Sequence, residues 1–309
     1  MNNIYYAPEG FTEEKKEILS AATLEKAINT KQILEARAVM CDSDHNLIVD
    51  LGEIRGIIPR EEAAIGIREG QVSDIAVLSR AGKRICFRVD DLEKQGSKTV
   101  ARLSRLSAQK DALEYMLENY KSGDVINAKV THLEPFGAFV DIGCGIIGLL
   151  SIENISVSRI SHPKDRFYVG QNIKVIVKDI DRNQKRFSLS HKELLGTWQE
   201  NADMFSIGQT ICGTVRSIED YGIFIELTPN LAGLAENKND ATVGQKATVY
   251  IKNIIPEKMK IKLSIIDNFD CNEQIKDPKY FITGGHIDVF TYSPPGCNKL
   301  TQTLFQPVY

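Results

Sequence analysis

The chain has 309 residues, 42% hydrophobic content and a formal net charge of −3. That composition suits several small cores better than one large one, and the negative balance argues against indiscriminate binding to polyanions. No apolar run approaches the ~18–20 residues of a membrane-spanning helix, and the N-terminus lacks a basic segment followed by an apolar core. The six cysteines (41, 86, 144, 212, 271 and 297) are far apart and form no CxxC pair. The expectation is a cytoplasmic protein with reduced, mostly buried thiols, no metal, no cofactor and no membrane partner.

In chain order, residues 1–32 read as a helical extension, acidic in its first thirty residues. Residues 33–105 carry short β-branched runs. Residues 106–120 space Leu106, Leu113, Met116 and Leu117 as a helix does, and form a linker. Residues 121–190 return to period-two alternation, with Ile126, Ala128 and Val130 against Val125, Asn127, Lys129 and Thr131. Residues 191–205, with Leu194, Leu195, Trp198, Ala202 and Phe205, read as a second linker helix in which Trp198 packs onto a barrel. Residues 206–266 alternate again. Residues 267–309 form an extension whose Gly284-Gly285, between apolar runs, signals a hairpin.

The alternating segments are copies of one unit. GDVINAKVTHLEPFGAFVDIG, residues 123–143, recurs 85 positions later as GQTICGTVRSIEDYGIFIELT. The offset drops to 74 after the first of these copies gains ISVSRISHPKDRF, and then Lys178 matches Lys252 and Arg186 matches Lys260. A weaker copy begins at 33–52. Each holds about five strand-length runs bounded by Gly or charged turns, which predicts a small closed or nearly closed barrel. Gly137 and Gly222 fall in strands, where glycine marks a tight bend or a close backbone approach. The fold class is therefore all-β dominated, with tandem five-stranded barrels joined by short helices.

Residues 120–195 hold eleven basic against eight acidic side chains, so the middle copy is locally basic. Phe136 and Phe139 can share a face there, with Lys129, Lys174, Lys178, Lys185 and Arg186 nearby and Arg159, Lys164 and Arg166 in the inserted loop. Exposed rings ringed by cations suit single-stranded nucleic acid, whose bases stack while the phosphates are tracked. The alternative is that both rings are core and the lysines a solvated face. Phe136, between Pro135 and Gly137, is the expected exposed ring; Phe139, between Ala138 and Val140, is the expected core member. His132 and His191 read as surface or linker residues, and His162 as a possible phosphate contact. No Gly-rich phosphate loop, nucleophile elbow or metal-binding His motif occurs, so no enzyme is expected.

The middle copy, followed by GLLSIENIS and VGQNIKVIVKDIDRNQKRFSLSHKELLGTW, resembles the S1 RNA-binding domain, and its LSHKELLGTW ending is similar to that of tandem repeats in the bacterial ribosomal protein S1 family. The resemblance implies S1-type OB-fold barrels, and an RNA face of two aromatics, a His, an Asp and an Arg. It assigns Phe136 and Phe139 to the aromatic positions, Asp181 to the acid and Arg186 to the base, while Ser151 stands where the His would be. In the third copy Tyr221 and Phe224 keep the rings and Lys260 the charge, with Lys252 beside it, but Ile255 replaces the acid, so weaker binding is implied. In the first copy His45 and Ile48 stand at the ring positions, which suggests a protein-contact or ribosome-docking barrel. The implied function is binding of mRNA at the small ribosomal subunit. The alternatives are an RNA-binding cofactor of RNA decay or transcription, and a protein-interaction scaffold with decayed RNA faces.

Overall fold

The computed structural model describes residues 6–12, 19–95, 98–236, 241–271 and 274–305. Helix α1 (Ala21–Thr30) precedes a first barrel of β1 (Leu34–Cys41), β2 (Leu47–Asp50), β3 (Arg55–Ile58), β4 (Arg84–Gln95) and β5 (Lys98–Ser104), with a short α2 (Ile75–Leu78) between β3 and β4. Helix α3 (Arg105–Asn119) leads to a second barrel of β6 (Val125–Glu134), β7 (Gly137–Asp141), β8 (Ile147–Ser151), β9 (Asn172–Asp181) and β10 (Arg186–Ser190). Helix α4 (Trp198–Ala202) leads to a third, of β11 (Thr210–Glu219), β12 (Gly222–Thr228), β13 (Leu231–Ala235), β14 (Lys246–Ile255) and β15 (Lys260–Phe269). A two-stranded ribbon, β16 (Val289–Thr291) and β17 (Gln302–Leu304), follows.

All three barrels are closed and share one strand order. The fifth strand runs antiparallel to the fourth and parallel to the third. Closure leaves no sheet edge to pair with another chain. The alternation read from the sequence fills the interiors: Ala128, Val130, Ala138, Val140, Val175 and Val177 are buried in the second barrel. Gly137 and Gly222 open the second strands of their barrels. A Cβ on Gly137 would lie 2.5 Å from the Leu150 carbonyl oxygen, and one on Gly222 would lie 2.6 Å from that of Ala235. Close backbone approach is therefore the role of both.

The chain divides into two compact units. The first comprises Met1–Tyr120, Asn127–Lys129 and Asp141–Ile147. In it, Leu24 and Ala27 of α1 enter the first barrel's core beside Leu47, Ile85 and Phe87. Ser20 caps this helix by accepting from the Thr23 amide at 3.2 Å. The buried Arg105 guanidinium donates to both oxygens of Glu9, at 2.6 and 2.8 Å, and the Glu9 amide donates to Asp141 at 2.7 Å. Burial and the Glu9 charge push the Asp141 carboxyl up to about 7, against the pull of three backbone N–H donors.

The second unit holds Lys121–Ile126, Val130–Val140 and Gly148–Tyr309. One of its hydrophobic cores joins the third barrel to Trp198, Phe290, Tyr292 and Phe305. Glu226 receives Arg166 at 2.5 Å and Arg216 at 2.8 Å, and Arg216 also reaches Asp165 at 3.3 Å. Burial opposes the Glu226 charge, but the two guanidiniums win and hold its carboxyl below the usual range. Buried Asn230 accepts from the Val157 amide at 3.1 Å and donates to the carbonyls of Lys192 and Gly196, at 2.7 and 2.8 Å.

Four expectations are corrected. The 191–205 linker is not one helix: a 3-10 turn at Lys192–Leu195 and α4 are separated by Gly196, whose φ is +85° and whose missing Cβ leaves room for the Phe281 ring. Gly284-Gly285 is not a hairpin turn. Gly285 instead accepts from the Val125 amide at 3.0 Å, and the ribbon is closed further on, by β16 and β17. Only Cys86 and Cys144 are buried; Cys212 and Cys271 are exposed and the other two half-buried. His191 is buried rather than on the surface. Of the expected helical extension over residues 1–32, residues 1–5 and 13–18 lie outside the described residues.

Candidate nucleic-acid interface

The β6–β7 hairpin builds a ring platform on the second barrel. Phe136, in the turn, is 55% exposed. Phe139 is not a core residue: Ala138 and Val140 point inward, and Phe139 between them points out and is half-buried. The two rings meet edge to face with centroids 5.9 Å apart. A third ring joins them, one that reading the sequence left out. His132 stacks on Phe139 at 6.4 Å and 29°, and its Nε2 lies 2.6 Å from Glu134. The platform is held by its backbone, since the Ile152 amide donates to the Phe136 carbonyl at 2.9 Å and the Thr131 hydroxyl to that of Phe139 at 3.0 Å.

The polar residues assigned from the sequence sit as follows. Ser151, at the end of β8, accepts from the Asn154 side chain at 2.7 Å, and Lys178 Nζ donates to that side chain's oxygen at 3.3 Å. These three form one chain. Asp181 and Arg186 are directly opposite across β9 and β10, and both are exposed. The Asp181 carboxylate accepts from the amides of Asn183 and Gln184, at 3.0 and 2.9 Å, so it also shapes the turn between those strands. Lys129 Nζ donates to the Gly10 carbonyl. Arg166 of the inserted loop is committed to Glu226. His162 accepts from the Lys164 amide at 3.0 Å, capping a short turn.

The third barrel repeats the rings with different charges. Tyr221 is 70% exposed and meets Phe224 edge to face at 6.1 Å. Lys260 stands opposite Ile255, as Arg186 stands opposite Asp181. Lys252 pairs with Glu236 at 3.6 Å. On the first barrel, His45 faces Asp74 at 3.4 Å and Ile48 is buried, so these positions carry no ring pair.

Among the described residues no cluster of His, Cys, Asp and Glu could hold a metal ion, and no helix is long and apolar enough to cross a membrane. What the second barrel offers is flat rings beside cations and hydroxyl or amide groups, which can stack bases and contact phosphate or sugar oxygens.

Comparison with known proteins agrees with this chemistry. The family model for the S1 RNA-binding domain matches residues 119–192. Over 262 residues the chain is 31% identical to small ribosomal subunit protein bS1 of Staphylococcus aureus, covering 80% of this chain and 64% of that protein. It is also 31% identical, over 255 residues, to the bS1 homolog of Bacillus subtilis, covering 82% and 64%. The chain thus spans just under two-thirds of the length of these relatives. The solution structure of GSP13 from Bacillus subtilis is 29% identical over 23% of this chain and 55% of that one, with a TM-score of 0.23. The second barrel, with its rings and cations, belongs to the S1 RNA-binding domain family, and it lies in a chain similar over four-fifths of its length to bacterial bS1.

Proposed function

We propose that the chain binds single-stranded RNA, with the second barrel as the principal contact, and that it acts in translation by holding mRNA at the small ribosomal subunit. The role is non-enzymatic and cytoplasmic. The observation that carries this reading is the platform of Phe136, Phe139 and His132, open to solvent at the end of a basic barrel. Phe136 and Phe139 stack bases; Arg186, Lys178 and Ser151 meet phosphate or 2′-hydroxyl groups. Asp181, opposite Arg186, holds the turn between their strands through the Asn183 and Gln184 amides. Tyr221, Phe224 and Lys260 give the third barrel a second, weaker contact, and tandem sites on one chain add by avidity.

Phe136→Ala in the full chain tests the reading. Loss of one stacked base costs about 1–3 kcal/mol, or about 5- to 150-fold in affinity for a short single-stranded RNA. Tyr221→Ala costs less. In both, log K falls with log salt, because phosphate contacts release counterions. A folded Phe136→Ala chain with unchanged affinity overturns the proposal.

A further inference from the structure

The fourth strand of every barrel carries a β-bulge at one equivalent place. In the second barrel Asp179 pairs with Ser188 and Val177 with Leu189, which leaves Lys178 unpaired. In the third, Asn253 pairs with Lys262 and Ile251 with Leu263, which leaves Lys252. In the first, Asp91 pairs with Arg102 and Val89 with Leu103, which leaves Asp90. A bulge bends its strand and re-aims the extra side chain, and bulges concentrate at binding sites.

The residue that each bulge faces is also equivalent. Leu150 pairs with Leu189 and Ala235 with Leu263, and each of these third-strand carbonyls crowds the barrel's second-strand glycine. Ser151 and Glu236, the next residues, therefore occupy one structural position. Lys178 reaches toward Ser151 through Asn154. Lys252 reaches Glu236 directly. Among the described residues Lys178 is in no ion pair, so its charge is met only by a neutral amide oxygen. The carboxylate of Glu236 offsets the same charge in the third barrel.

We propose that Glu236 silences, at Lys252 of the third barrel, the phosphate contact that the equivalent bulge lysine Lys178 makes in the second. This rests on the RNA-binding reading and extends it. One position beside one bulge sets how much anion affinity each barrel has. Lys178 with Ser151 is open, Lys252 with Glu236 is tied, and Asp90 in the first barrel carries the opposite sign and repels phosphate. An amide at Asn154 keeps the lysine extended without neutralising it, and makes Asn154 a positioning residue.

The test titrates a short oligouridylate against the full chain over a potassium chloride series. Lys178→Gln and Ser151→Glu each lower affinity at low salt by about two- to fivefold, the range of one exposed charge pair. Each also makes the slope of log K against log salt shallower by about 0.7, the value for one contact to a single strand. Glu236→Ser, made in a Phe136→Ala chain so that the third barrel dominates, raises affinity by about two- to fivefold and steepens the slope by about 0.7. Lys178→Gln alters an exposed side chain, so it remains informative if Ser151→Glu fails to fold. If Phe136→Ala weakens binding while Lys178→Gln leaves the slope unchanged and Glu236→Ser gives no gain, the ring platform stands and the bulge assignment falls. If Phe136→Ala has no effect, both fall.

Discussion

His191 makes the second unit sensitive to acid by a calculable amount. Its Nδ1 lies 2.8 Å from the Ile155 carbonyl and its Nε2 lies 3.2 Å from the Tyr280 hydroxyl, which in turn accepts from the Lys174 amide at 3.0 Å. A neutral ring with its proton on Nδ1 satisfies all three: it donates to Ile155 and accepts from Tyr280. Burial pushes the ring down from 6.5 to about 4. The unfolded chain therefore takes up the proton first. Stability from this residue is present above pH 6.5 and is lost as pH falls toward about 4. At about 1.4 kcal/mol per pH unit, the loss comes to about 3 kcal/mol. His191→Asn retains a donor to Ile155 and cannot titrate. It is less stable near neutrality, because it loses Tyr280 and the edge-to-face contact with Phe167 at 5.1 Å. Its deficit closes as the pH is lowered. Trp198, the chain's single tryptophan, is buried in the same unit, so urea unfolding followed by its fluorescence reads the effect. Carboxylates titrate in both proteins and cancel in the difference. Parallel stability curves for wild type and His191→Asn from about pH 7 to about pH 4 would refute the reasoning.

Other outcomes follow from the same geometry. Glu226→Gln removes the buried carboxylate that Arg166 and Arg216 share, leaving Arg216 only Asp165, and costs up to about 3–5 kcal/mol, seen as a lowered melting temperature; an unshifted melt contradicts it. Gly137→Ala drives a methyl group into the Leu150 carbonyl and costs about 1–3 kcal/mol in chemical denaturation, whereas an unchanged midpoint shows that the strands can part freely. His286 bonds Asp124 at 2.6 Å and Asp288 at 3.2 Å, and these bonds, Asp124's first, raise its pKa. The stability it lends the C-terminal segment is full below pH 6.5 and is lost as pH rises through the raised folded value. Limited proteolysis of that segment should therefore be faster at about pH 9 than at about pH 6, and His286→Ala should remove the difference.

The barrels were legible because duplication repeats a core: the inward positions recur at fixed offsets whatever the surface does. Phe136 was legible as exposed from its place in a Pro-Phe-Gly turn. Phe139 was misread from its apolar neighbours, although strict alternation with Ala138 and Val140 already put it outside. His132 was read as a surface or linker residue, but nothing in the sequence joined it to the platform. Alternation groups it with the buried Ala128 and Val130, and only its place near the hairpin end frees the ring. The Arg166–Glu226 pair joins residues 60 apart in sequence, and His191 meets Tyr280 from 89 residues away. Contacts of that range leave no local pattern. The bulges are hidden for a related reason. Aligning the copies matches Lys178 with Lys252, but an unpaired strand residue looks like any other in a run of alternating side chains. The Gly-Gly signal in the tail failed because a neighbouring strand took up the hydrogen bonds that a hairpin would have used.

Photocrosslinking of unmodified single-stranded RNA to the full chain, with peptides mapped to the residue, measures the binding surface most directly. The ring platform requires the strongest crosslinks at Phe136, Phe139 and His132, a weaker set at Tyr221 and Phe224, and none at His45. Crosslinks gathered on the first barrel or the C-terminal ribbon, with the β6–β7 hairpin unlabelled, would contradict it.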